Sequence, residues 1–118
     1  MILLCYPKCT TCQKAQKWLD AQNIPYVYRD IKQENPTYNE LKSWFALSGL
    51  PIKKLFNTSG LQYKALNLKE KLPSMSEDDS LKLLATDGML VKRPLVVSDD
   101  FVLIGFKETE WKECLAVG

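Results

Sequence analysis

The chain has 118 residues, four cysteines, no histidine and a formal net charge of +2. That length suits one domain with a single core, and so small a charge gives no ground for expecting direct nucleic-acid or membrane binding. The missing imidazole excludes His-ligated metals, Ser-His-Asp and Cys-His nucleophile systems and His-based acid–base catalysis.

Met1-Ile2-Leu3-Leu4-Cys5-Tyr6 is an apolar run that predicts a buried strand, ended by Pro7. Cys9 and Cys12 follow, and beyond them Ala15, Trp18, Leu19 and Gln22 recur at helical spacing. A C-x-x-C at a strand-to-helix junction places a thiol at the helix start, where free amides and the helix dipole favour an anion. A free-thiol pKa of about 8.5 can fall there to roughly 7 or lower. Asn23 and Pro25 end the helix, and Tyr26–Ile31 has the β-rich composition of a second strand. A strand, a helix and a strand in this order predict a right-handed, parallel βαβ unit.

Thr37 and Glu40 form a capping box, Leu41, Trp44, Phe45 and Ser48 line one helical face, and Gly49 suits the stop. Ile52, Leu55 and Phe56 predict a short helical turn, Asn57-Thr58-Ser59-Gly60 a chain reversal, and Tyr63–Leu68 another short helix. Ser76 with Asp79 opens a helix carrying Leu81, Leu84 and Ala85 that closes at Asp87-Gly88. Met89-Leu90-Val91 and Pro94-Leu95-Val96-Val97 read as strand segments flanking Lys92-Arg93. Phe101–Ile104 follows the turn at Ser98-Asp99-Asp100 as the second arm of a hairpin, and Glu108–Leu115 forms a last helix.

The fold class is therefore α/β, with element order β-α-β, a helical block, then β-β-α. With C-x-x-C after the first strand, this is the pattern of a thioredoxin-like (glutaredoxin-like) core with an inserted helical subdomain. We expect one domain over residues 1–118, its core being 1–32 and 88–118 and its insertion about 36–87. No basic segment followed by an apolar stretch and a cleavage site opens the chain, so the expected location is cytoplasmic, and the expected state monomeric.

In a reducing compartment, clustered thiols point to thiol chemistry or metal. The Cys5, Cys9 and Cys12 spacing resembles that of iron–sulfur ligands, and Cys114 could complete a zinc site. Cys5, however, falls inside the predicted strand and packs as a small apolar residue, so no metal and no bound cofactor is expected. Cys114 reads as a structural cysteine on the last helix, and Trp18, Trp44, Phe45 and Trp111 as core.

Cys9, beside Lys8 and Lys14, is the candidate nucleophile, and Cys12 one turn on is the candidate resolving thiol. Pro94 lacks a donor and belongs at the start of its strand. Thioredoxin-like folds carry a cis proline there, facing the reactive thiol, which predicts a cis Arg93-Pro94 bond and sets Arg93 opposite Cys9 to pair with an oxyanion or a thiolate. Lys8, Lys14, Lys17 and Lys92, extended by Lys53, Lys54 and Lys64, form either a basic surface around the site or an ordinary solvated face.

Three stretches together resemble the ArsC/Spx family of glutaredoxin-coupled arsenate reductases and Spx-type transcriptional regulators. They are Tyr6-Pro7-Lys8-Cys9-Thr10-Thr11-Cys12-Gln13-Lys14-Ala15, Lys92-Arg93-Pro94-Leu95-Val96-Val97 and Leu103-Ile104-Gly105-Phe106. The resemblance to the reductases implies that Cys9 attacks a small oxyanion held by the helix-start residues Thr10 and Thr11 and by Arg93, with glutathione and glutaredoxin, or thioredoxin, as electron donor. Gln13 stands where the family commonly has an arginine, and the turn at Ser59 offers none where a second is expected. The resemblance to the regulators implies instead a Cys9–Cys12 disulfide switch and docking on the RNA polymerase α subunit, with Gly49 near the contact. A thiol–disulfide protein acting on protein thiols, with neither role, is the third reading.

Overall fold

In the computed structural model, which describes residues 1–115, the first apolar run is strand β1 (Ile2–Cys5), followed by helix α1 (Thr10–Ala21) and strand β2 (Val27–Asp30). β1 and β2 pair in parallel, with Ile2 opposite Val27 and Cys5 opposite Asp30. Strands β3 (Leu95–Val97) and β4 (Val102–Ile104) form an antiparallel hairpin whose first arm joins the other side of β1. The sheet order is therefore β2-β1-β3-β4, with β1 central. Helices α2 (Tyr38–Ser48), α3 (Leu61–Ala65), α4 (Leu68–Lys71) and α5 (Glu77–Leu84) separate β2 from β3 in sequence, and α6 (Glu108–Cys114) closes the described chain. This is the thioredoxin-like α/β fold; residues 116–118 of the expected core lie outside the described residues.

Side chains on a strand alternate between faces, and β1 uses both. Leu4 packs into one apolar cluster with Leu41 and Trp44 of α2 and Leu81 and Leu84 of α5. Leu3 and Cys5 belong to the opposite cluster, with Cys12, Ala15 and Leu19 of α1 and Trp111 of α6. Helices cover the sheet on both sides, which is why β1 reads as an unbroken apolar run rather than an alternating one. Edge strand β2 differs, leaving Val27 and Tyr28 exposed.

Helix α2 begins as its sequence dictates. Thr37 Oγ1 accepts from the Glu40 amide at 3.1 Å, and Glu40 Oε1 accepts from the Thr37 amide at 3.0 Å. Arg29 on β2 donates to both Glu40 carboxylate oxygens, at 2.7 and 2.9 Å, and lies 5.8 Å from the centre of the Trp44 ring. The Arg29 hydrogen bonds, helped by the Thr37 amide, hold the Glu40 carboxyl down to about 2. One ion pair thus ties the edge of the sheet to the start of α2. Gly49 ends α2 with φ 65°, in the left-handed region that glycine enters at no steric cost.

Three sequence expectations are corrected. Residues 89–91 are not a strand: Gly88–Leu90 is a 3₁₀ turn whose Met89 amide donates to Asp87 Oδ1 at 2.9 Å, and Val91 makes only an isolated bridge to Phe56. The predicted Tyr63–Leu68 helix is two helices, because Asn67 adopts φ 54° and breaks the run. Cys114 is exposed on α6 rather than packed. The 3₁₀ turn also makes a tight approach, since a Cβ at the buried Gly88 would lie 1.8 Å from the Ile31 carbonyl oxygen.

Candidate functional site

The link between β1 and α1 is a tight reversal. The Cys9 amide donates to the Tyr6 carbonyl at 3.0 Å, and Gln13 Nε2 donates to the Pro7 carbonyl at 2.9 Å. Gln13, at the position where an arginine is common, therefore braces the cysteine loop. Cys9 becomes the N-cap of α1, with extended backbone angles and its Sγ accepting from the Cys12 amide at 3.4 Å. A sulfur there receives one of the free amides of the helix start, the interaction a thiolate needs. Cys9 is partly exposed, whereas Cys12 is buried on the inward stripe it shares with Ala15 and Leu19.

The Arg93-Pro94 bond is cis, as the fold analogy predicts, and Pro94 is buried at the head of β3. Arg93 and Cys9 line one cleft of about 490 Å³ together with Thr11, Asn57, Ser59 and Lys92. The Arg93 guanidinium lies 5.5 Å from the centre of the Tyr6 ring. Its Nη1 donates to the carbonyls of Met89 and Val91 at 3.4 and 3.5 Å, the long end of the hydrogen-bond range. Its Nε is buried with no partner, the only such side-chain nitrogen or oxygen among the described residues. A cation so weakly bonded, in the same cleft as a helix-capping sulfur, is suited to receive an anion.

Behind Cys9, Cys5 and Cys12 are buried in one apolar cluster. Neighbouring Cys5 is the main influence holding Cys12 down to about 6, aided by the Tyr6 amide, Cys9 and the charge of Arg93 against the opposing effect of burial. Neighbouring Cys12, with burial, pushes the Cys5 thiol up.

The cleft brings together Cys9, Thr11 and Arg93. Thr10 is exposed in the first turn of α1 but does not line it, Cys12 and Pro94 lie behind it, and Gly49 stands apart at the end of α2. Sequence reasoning missed Asn57 and Ser59 as lining residues and gave Lys92 no specific place. Their signal was the turn motif at 57–60 and the position of Lys92 next to Arg93. A second groove, of about 520 Å³, shares Thr11, Lys92 and Arg93 with the first and runs past Lys53, Lys54 and Lys107. Among the described residues, no group of three or more His, Cys, Asp or Glu side chains is placed to hold a metal ion, and no helix is long and apolar enough to cross a membrane.

A family model described as the ArsC family matches residues 4–114. The chain is 52% identical to YusI of Bacillus subtilis (strain 168), over 92% of each chain. It is 33% identical to the regulatory protein MgsR of the same strain, over 89% of this chain and 82% of that one. Among solved structures, an ArsC-family-related protein from Bacteroides fragilis superposes with a TM-score of 0.92 at 59% identity, covering 95% of this chain and 96% of that one. A protein described as a possible arsenate reductase, from Streptococcus mutans UA159, superposes with a TM-score of 0.85 at 45% identity over 90% of each chain. Matched over residues 4–114, from within β1 to the end of α6, the chain belongs to the ArsC family.

Proposed function

We propose that this protein is a thiol-dependent oxidoreductase of the arsenate-reductase type, with Cys9 as nucleophile and Cys12 as resolving thiol. The observation that carries the reading is the shared cleft: a helix-capping sulfur at Cys9 and a guanidinium at Arg93 whose Nε has no partner. In this reading an oxyanion sits against Arg93, Lys92 and the exposed start of α1. The Cys9 thiolate bonds to the central arsenic(V) atom and a hydroxide leaves as water. Cys12 then attacks the Cys9 sulfur, the sulfur–arsenic bond breaks, arsenic departs as arsenic(III), and the two thiols are left as a disulfide. Glutathione with glutaredoxin, or thioredoxin, returns the disulfide to thiols. The charge that builds on the oxyanion is met by fixed donors, which is where an enzyme gains most of its rate.

Arsenate turnover coupled to glutathione and glutaredoxin tests the reading. Cys9→Ser is expected to abolish it, and Cys12→Ser to leave an adduct on Cys9 that mass spectrometry detects. A wild-type protein that oxidises no thiol in response to arsenate sinks the proposal.

One observation favours a second reading, a redox regulator that docks on the RNA polymerase α subunit. Gly49 has open space around it and stands between the exposed Leu47 and Leu50, an apolar turn on the surface of a chain one-third identical to MgsR. A pull-down with the α C-terminal domain in both redox states decides it. Retention that depends on the Cys9–Cys12 disulfide and is lost in Gly49→Arg supports the regulator, and no retention in either state removes it.

A further inference from the structure

The second groove, of about 520 Å³, takes no part in the chemistry above, yet it borders the Cys9 cleft across Lys92 and Arg93. Its cations come from three separate elements. Lys53 and Lys54 stand on the 3₁₀ turn Ile52–Leu55, Lys92 and Arg93 on the loop before β3, and Lys107 at the cap of α6. The backbone fixes the first two groups against each other. The Lys92 amide donates to the Leu55 carbonyl at 2.7 Å, the Asn57 amide donates to the Leu90 carbonyl at 2.8 Å, and Phe56 bridges to Val91 between them. The third wall is also anchored. There the Gly105 amide donates to the Pro94 carbonyl at 2.9 Å, and the Gly105 carbonyl accepts from the buried Trp111 Nε1 at 3.0 Å. Lysines far apart in sequence are thereby held on one concave surface.

Little on the chain answers this charge. Lys107 reaches Glu110 at 3.7 Å, with both side chains more than half exposed. Among the described residues, Lys53, Lys54 and Lys92 belong to no salt bridge. Like charges gathered in this way repel one another, and an anion that enters relieves the repulsion. A single small anion would meet only one wall of so wide a groove. Apolar surface lies between the cations, from exposed Leu50 and partly buried Ile104 and Phe106. That mixture suits a chain carrying carboxylates and apolar side chains together. A polyphosphate fits worse, because Glu110 lines the same groove and the net charge is only +2.

We propose that this groove docks an acidic polypeptide segment of a protein that exchanges thiols with Cys9: Lys53, Lys54 and Lys107 pair with its carboxylates while its cysteine enters the neighbouring cleft. The exchange rests on the reading of Cys9 as nucleophile, whereas the docking does not. Exposed lysine–carboxylate pairs steer and orient an encounter more than they tighten it, so the effect falls mainly on the rate of exchange.

Two peptides of equal length test the proposal, each with a single cysteine capped by nitrothiobenzoate. Glu and Leu flank the cysteine in one, Gln and Leu in the other. The Cys9 thiolate attacks the peptide's cysteine sulfur, and the disulfide to nitrothiobenzoate breaks. Nitrothiobenzoate leaves with the electron pair as a coloured thiolate, and Cys9 and the peptide are joined by a disulfide. In a Cys114→Ser background the acidic peptide is expected to react about tenfold faster than the neutral one at low salt. That preference should vanish at about 0.5 M salt, where charges are screened within a few ångströms. Lys53→Gln/Lys54→Gln should cut it roughly fivefold, since each exposed pair contributes a modest factor. Lys69→Gln/Lys71→Gln, an equal loss of charge on α4 outside both clefts, should leave it intact. Equal rates for the two peptides overturn the proposal. So do equal effects of the two double variants, which would assign the preference to overall charge and not to the groove.

Failure of the underlying reading looks different. A parent protein that releases no nitrothiobenzoate removes Cys9 as nucleophile, and docking is then read directly. Fluorescence anisotropy measures binding of a cysteine-free acidic peptide to Cys9→Ser protein. A Kd that rises about fivefold in Lys53→Gln/Lys54→Gln supports the groove, and an unchanged one rejects it. A single-stranded oligonucleotide of matched charge that binds more tightly than the peptide also rejects the proposal, in favour of nucleic acid.

Discussion

The chain has two arginines, and the fold treats them in opposite ways. Arg29, between the edge strand and α2, directs every nitrogen to an acceptor: Nε to the Glu34 carbonyl at 2.9 Å and the two Nη atoms to Glu40 at 2.7 and 2.9 Å. Arg93, beside the cysteine loop, has two long contacts to carbonyl oxygens, an aromatic ring beneath it and an unpartnered Nε. A saturated guanidinium ties elements together, whereas an unsaturated one has donor capacity left for a ligand. Partner inventory, not residue type or charge, separates the structural cation from the candidate functional one.

The sharpest way to break this contrast is Arg93→Ala. It is expected to lower kcat/KM for the oxyanion by about 100-fold, or ~2.7 kcal/mol of transition-state stabilisation. The same variant should change unfolding free energy by no more than about 1 kcal/mol, since only a cation–π contact and two weak hydrogen bonds are lost. A variant that unfolds readily but turns over normally would reverse the assignment. Next in size, Arg29→Ala should cost about 2 kcal/mol in urea unfolding, as Glu40 loses its charged partner while still one-third exposed. Its rate of Cys9 alkylation should match the wild type.

The smallest effect is the acid response of the same pair. Glu40 is depressed in the folded state from an ordinary 4.5 to about 2, so its contribution is fully present above about pH 4.5 and is lost as pH falls through 2. With solvent screening of the one-third-exposed carboxylate, that contribution is about 1 kcal/mol. Wild type and Glu40→Gln should therefore converge in stability as the pH falls over this window. A constant gap would show that the pair acts through packing alone.

Local signals carried much of the fold. The Thr37–Glu40 box, the Ser76 cap and the left-handed Gly49 each have a short-range mechanism, and each is found where its residues predict it. Residues 89–91 misled because apolarity reports burial and not backbone geometry. Leu90 and Val91 are buried in the cluster beneath the helical block, but their amides are met by a 3₁₀ turn. The Arg29–Glu40 pair was hidden for another reason, since its partners are 11 residues apart on different elements and no local pattern joins them. The burial of Cys5 beside Cys12 was within reach, since strand parity at Leu3 and Cys5 and helical spacing at Cys12, Ala15 and Leu19 together predict two stripes that face each other.

The approach at Gly88 has a consequence for the redesign of this scaffold. With only 1.8 Å between a would-be Cβ and the Ile31 carbonyl oxygen, position 88 measures the gap between the chain leaving β2 and the chain leading to Arg93. Any side chain at residue 88 forces backbone to yield, because the atom it would meet is a carbonyl oxygen and not the end of a flexible side chain. Substitution there would probe backbone spacing five residues from Arg93, at a position that is not itself a lining residue of the cleft.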